Sequence, residues 1–140
     1  MTLRKDKANI MESFHVALTG HRPSKLAGYD LSSDYYTRMR AHLLDIITRG
    51  LAVHPHLTLH SGMALGADTV WAQSILQARE IHGDKVAFWA EIPTISQARP
   101  WINPEDKRRW ATLRAAADGE TVYASIYTPQ VMNQRNRGMV

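Results

Sequence analysis

The chain predicts an α/β fold, a Rossmann-like parallel sheet of about four strands plus the start of a fifth, with helices on both faces. Three observations carry that prediction. Short apolar runs alternate with stretches of helical periodicity along the chain. The runs are nearly continuous in apolar character, as strands covered on both sides tend to be. Two strand-to-helix junctions carry glycine, Thr19-Gly20-His21-Arg22-Pro23 and Ser61-Gly62-Met63-Ala64-Leu65-Gly66-Ala67-Asp68, where the backbone must turn sharply. Right-handed crossovers between the strands are expected to put helices on both faces, and both glycine turns, each following a strand, fall at the carboxyl edge where such sheets bind ligands.

Residues 1–12 lack periodicity and form a basic leader with Arg4, Lys5 and Lys7, expected to be flexible. Residues 13–140 form the single domain. Phe14-His15-Val16-Ala17-Leu18 is the first strand, and Ser24 to Ser33 is loop. Helix 1 is expected from Asp34 to Arg49, with Tyr36, Met39, Leu43, Ile46 and Ile47 on one apolar face and Gly50 as a left-handed cap. Leu57 to His60 is the second strand. Thr69 to His82 is helix 2, burying Trp71, Ala72, Ile75 and Ala78. The third strand runs from Lys85 to Glu91 and is stopped by Pro93. Helix 3 has the best-marked start: Asn103 as N-cap, Pro104 at the first helical position, then Glu105 and Asp106. Its inner face is Trp110, Leu113 and Ala117, and Asp118-Gly119 ends it. Thr121 to Tyr127 is the fourth strand, Thr128-Pro129 starts a short helix to about Asn136, and Gly138-Met139-Val140 begins another strand.

At 140 residues, with 44% hydrophobic and 21% charged side chains, the chain has the composition of one globular domain. Zero cysteines exclude disulfides, thiol catalysis and thiolate metal sites. No apolar run reaches the length of a membrane span and the N-terminus lacks a signal-peptide core, so no membrane partner is expected and the cytoplasm is the default compartment. The net charge of +4 is concentrated towards the ends, with Arg135 and Arg137 near the C-terminus. Nucleic acid is the lesser expectation for a partner, because no stripe of interleaved basic and aromatic residues accompanies those charges.

Two loops carry the candidate chemistry. In the first, Arg22 offers a fork of donors for phosphate, while Gly20 and Pro23 equally suit a plain turn. In the second, Gly62 and Gly66 admit close backbone approach, and a following helix brings free N–H groups suited to an anion. Asp68 is placed for ribose hydroxyls, and its structural role would be a helix cap. Trp101, in the loop before helix 3, is the candidate for base stacking, whereas Trp71 and Trp110 lie on helix faces and belong to the core. Seven histidines include His54, His56 and His60, but without carboxylates at regular spacing no metal site is expected, nor any cofactor.

These motifs, with Lys25-Leu26-Ala27-Gly28-Tyr29, Trp71-Ala72, Trp101, Trp110, Ala116-Ala117-Asp118 and Asn133-Gln134-Arg135-Asn136-Arg137-Gly138-Met139-Val140, resemble the SLOG superfamily, and more narrowly its YpsA-like branch. The resemblance extends over nearly the whole chain from Phe14. It implies a Rossmann-like domain that binds a nucleotide or nucleotide-derived ligand, of nucleoside phosphate or ADP-ribose type, as a sensor or sequestering module. The ligand site it implies comprises Thr19, Gly20, His21 and Arg22, then Ser61, Gly62, Met63, Gly66 and Asp68, with Arg135 and Asn136 facing the same edge. Relatives also include the LOG phosphoribohydrolases, which cleave an N-glycosidic bond of a nucleoside monophosphate, and the DprA/Smf DNA-processing proteins. LOG-like hydrolysis, with Asp68 as the catalytic acid, and DprA-like single-strand binding therefore stand as alternatives. Relatives continue past the equivalent of Met139-Val140 into a further strand and a second glycine-rich turn that the LOG enzymes use for phosphate. A chain that stops short of that turn is either a fragment or a minimal version expected to bind without catalysing, for which a homo-oligomer is one way to complete the sheet.

Overall fold

The computed structural model describes residues 2–3 and 13–124. The elements are β1 (Thr2–Leu3), β2 (Phe14–Ala17), α1 (Asp34–Val53), β3 (Leu57–Ser61), α2 (Ala67–His82), β4 (Val86–Thr94), α3 (Pro104–Ala116) and β5 (Gly119–Ala124). Short 3-10 turns occupy Pro23–Lys25 and Gly83–Lys85. The sheet order is β1-β5-β4-β3-β2. β2 to β5 are mutually parallel, and β1 adds two residues antiparallel to β5, Thr2 opposite Glu120 and Leu3 opposite Gly119. The fold is thus α/β with a four-stranded parallel sheet flanked by three helices, as the alternating pattern predicts. The end of the fourth predicted strand, the short helix to Asn136, the strand start at Gly138 and the pair Arg135 and Asn136 lie outside the described residues.

The parallel strands follow one another in sheet order, so right-handed crossovers leave the three described helices on one side. They are neighbours there, α1 on α2 and α2 on α3. Between them and the sheet lies the core. Leu57 and Leu59 of β3 and Val86, Phe88, Ala90 and Ile92 of β4 point into it, meeting Tyr36, Leu43 and Ile47 of α1 and Trp71 and Ile75 of α2. Each large side chain so buried contributes ~1.5–3 kcal/mol. The alternate strand positions face away from the helices, where sequence pattern led us to expect a second helical layer; among the described residues that face presents His15, His60, Trp89, Glu91 and Tyr123.

Several boundaries differ from the pattern for local reasons. α1 does not stop at Gly50 but runs on to Val53. Gly50 is a close-approach residue instead, since a Cβ there would sit 3.1 Å from Leu57 Cδ1. The helix ends where His54, extended, precedes Pro55, whose ring disfavours helical geometry in the residue before it. Ile46 is exposed, one position off the buried stripe of Tyr36, Leu43 and Ile47. β4 continues through Pro93 to Thr94 because pairing with β3 ends at Ser61–Ala90, leaving that side of the strand open. α3 ends at Ala116, and Gly119 already belongs to β5. Asp118 fills the gap: it takes the Phe88 N–H at 2.8 Å and pairs with Arg79 at 2.9 Å.

Candidate functional site

The carboxyl ends of β2, β3 and β4 open into one cleft of about 1090 Å³. Loop 1, after β2, contributes Arg22, Pro23, Ser24 and Tyr29. Loop 2, after β3, contributes Ala64 and Leu65. Loop 3 contributes Pro93 at the end of β4, then Ser96, Gln97 and the run Arg99 to Asn103, and Asp106 of α3 closes the wall. The position is the one that parallel α/β sheets favour for ligands.

Loop 2 is a closed structure. Ser61 Oγ donates to Asp68 O at 2.8 Å and receives the Met63 N–H at 3.2 Å. Asp68 Oδ2 accepts the Ala64 N–H at 3.3 Å, and Thr69 Oγ1 donates to Ala64 O at 2.8 Å. Met63 holds a φ of 65°, left-handed geometry that costs a side-chain-bearing residue about 1–2 kcal/mol, while its side chain is fully buried. Gly66 has φ 88°, and a Cβ there would stand 2.6 Å from His21 O. A Cβ on Gly20 would stand 2.4 Å from Ala67 Cβ. Both glycines therefore serve the contact between loops 1 and 2. The Ala67 N–H, first of α2, is likewise given to His21 O at 3.2 Å.

The predicted site residues consequently divide. Arg22 and Trp101, the candidates for phosphate and base, line the same cleft from different loops. Ser61, Gly62, Met63, Gly66 and Asp68 lie behind it, buried, with Asp68 only 8% exposed and acting on loop 2 rather than as the cap of α2, which is Gly66. Thr19, Gly20 and His21 belong to the backbone that joins β2 to Pro23 and do not line the cleft. Arg135 and Asn136 lie outside the described residues.

Sequence reasoning missed Tyr29, Gln97, Arg99 and Asp106. Gln97 ties three elements together: its Nε2 donates to Gly62 O at 3.0 Å and its Oε1 accepts from Trp110 Nε1 at 2.9 Å. Asp106, buried, pairs with Arg109 at 2.9 Å. Asn103 caps α3 by accepting the Glu105 N–H at 2.9 Å, as its sequence signal says. Arg22 and Arg99 are exposed, and neither guanidinium engages a described residue. An arginine beside a tryptophan in a proline-bounded loop, Arg99-Pro100-Trp101, was the available signal for loop 3. Tyr29 is held up by the residue beneath: Tyr36 Oη donates to Gly28 O at 2.6 Å, and burial pushes the Tyr36 hydroxyl pKa up. Among the described residues no cluster of three or more His, Asp or Glu side chains could hold a metal. No helix among them is long and apolar enough to cross a membrane. No protein-family model and no curated protein matches the chain.

Proposed function

We propose that the cleft binds a nucleotide or nucleotide-derived ligand, with Arg22 and Arg99 taking its phosphates and Trp101 and Tyr29 its rings. One observation carries this: two guanidinium groups with no partner among the described residues and two aromatic side chains line a single cleft at the carboxyl edge of the parallel strands. Guanidinium forks match phosphate oxygens, and indole or phenol faces stack on bases. A cleft of about 1090 Å³ has room for a nucleoside diphosphate or a larger conjugate of ADP-ribose type. The SLOG resemblance implies the same ligand class. We take the working role to be sensing or sequestration in the cytoplasm. Hydrolysis has less support, because Asp68 is committed to the Ala64 N–H and is not on the cleft wall. Isothermal titration of the chain with nucleoside mono- and diphosphates and ADP-ribose should give saturable heat for at least one of them. Folded protein that takes up none of these would sink the proposal.

A further inference from the structure

Four parallel strands each give one residue to a hydrogen-bonded row on the face of the sheet opposite the helices. Tyr123 Oη of β5 donates to Glu91 Oε2 of β4 at 2.7 Å. Glu91 Oε1 faces His60 Nδ1 of β3 at 2.9 Å, and His60 Nε2 faces His15 Nδ1 of β2 at 2.8 Å. Glu91 is 3% exposed, His60 is mostly buried and His15 is exposed, so the row runs from the interior out to β2. None of the four lines the cleft.

Position gives the row its importance. β2 has four residues in the sheet, and its first two side chains are exposed. Besides its ladder with β3 it is held by the Phe14 N–H to His56 O at 3.0 Å and by the Phe14 ring stacked 3.9 Å from that of His54. The His15–His60 contact is a side-chain bond between β2 and β3, and these strands lead directly into loops 1 and 2.

The proton count of the contact is limited. With Glu91 ionised, His60 keeps a proton on Nδ1 for the carboxylate. His60 Nε2 then either accepts from His15 Nδ1–H, with His60 neutral and His15 neutral or charged, or donates to His15 Nδ1, with His60 a cation and His15 neutral. Two cations would set N–H against N–H across 2.8 Å, and the bond would be lost. Among the described residues the titratable groups facing the pair are Glu91 from β4 and Tyr123 from β5. Glu120 and Asp118 turn to the other face, towards Arg114 and Arg79.

We propose that His15 and His60 form a proton-gated clasp between β2 and β3, which holds with none or one extra proton and opens when both rings are charged. Opening loosens the two strands that carry loops 1 and 2, so the rigidity of that edge depends on pH. The clasp stands whether or not the cleft takes a nucleotide. The sign follows from proton counts. The closed pair holds one proton fewer than two separated imidazoles can, so the contact is lost as pH falls.

The test is denaturant unfolding of the whole chain at several pH values, comparing it with His15→Gln, which keeps a polar partner for His60 but cannot become charged. The other five histidines are present in both proteins and cancel in the comparison. At acid pH the unfolding constant of the parent chain should rise up to about tenfold more per pH unit than that of the variant. Equal pH slopes overturn the clasp. Nitrogen-15 histidine spectra of the parent chain decide the matter if the variant does not fold. One charged and one neutral ring while the strands remain paired supports the clasp, and two charged rings with the strands paired overturns it.

Discussion

Loops 2 and 3 leave adjacent strands at the same edge of the sheet and are built in opposite ways. Loop 2 turns inward: its hydroxyls donate to its carbonyl groups, its carboxylate accepts a backbone N–H, and Ser61 and Met63 are fully buried. Loop 3 turns outward: Ile102 is 98% exposed, Ile95 and Arg99 are exposed, and Trp101 stands half-exposed in the cleft. The loop with the glycine motif is the scaffold, and the neighbour without a single glycine carries ligand-type side chains. A glycine turn between strand and helix is first a way to bring two backbones together. Whether a ligand also benefits depends on what is left facing solvent.

The comparison breaks most readily at Gly66. Gly66→Ala puts a Cβ 2.6 Å from His21 O at a positive φ, and should destabilise the chain by about 3 kcal/mol or more in denaturant unfolding. A near-neutral result would mean that loops 1 and 2 are not locked together. Arg99→Ala on the open loop should do the reverse. It leaves stability within about 0.5 kcal/mol, yet weakens binding of whichever nucleotide gives heat about 10- to 100-fold, as loss of a charge-assisted phosphate contact does. Equal affinity in titration would remove Arg99 from the site.

Asp68→Ala sharpens the contrast, because the same residue is a candidate for either role. As the tie on the Ala64 N–H its loss should cost about 1–2 kcal/mol of stability. A variant as stable as the parent that still loses ligand would move Asp68 into the ligand site. The smallest effect is expected at Tyr36, which adds a side-chain tie to the stretch bearing Tyr29. Tyr36→Phe deletes the bond to Gly28 O and should cost about 1 kcal/mol. Burial raises the folded-state pKa of this hydroxyl, so its contribution is fully present below about pH 10 and is lost as pH rises through the folded value. Alkaline unfolding of the variant should therefore be less steep, and an unchanged profile would contradict the burial effect.

Much of the fold was legible because its signals are local. Asn103-Pro104-Glu105 states a helix start whatever surrounds it, and the structure makes the bond that those residues promise. Trp71, Ala72, Ile75 and Ala78 recur at helical spacing and are all buried. Gly50 and Pro93 misled for the opposite reason. Each is a breaker by propensity, and each is kept inside an element by what packs beside it in another element, Leu57 against the helix and the end of β3 beside the strand. In the cleft, Arg22 and Trp101 were legible as residue types in loops, but Tyr29, Gln97 and Asp106 were not, since nothing in their own surroundings announces a ligand wall.

The sequence by itself determined the alternation of strands and helices, the apolar stripes, and the two loops at one edge of a parallel sheet. Periodicity, caps and turn residues act over a few residues, so one-dimensional order suffices to express them. Tertiary structure decided what those loops do with their side chains. Gly20 faces Ala67 and Gly66 faces the backbone of His21, Asp68 ties its own loop, and loop 3 brings Arg99 and Trp101 to the cleft that Arg22 also lines. It also aligned His15, His60, Glu91 and Tyr123, spread over 109 positions of sequence, because parallel register sets one residue of each strand beside the next.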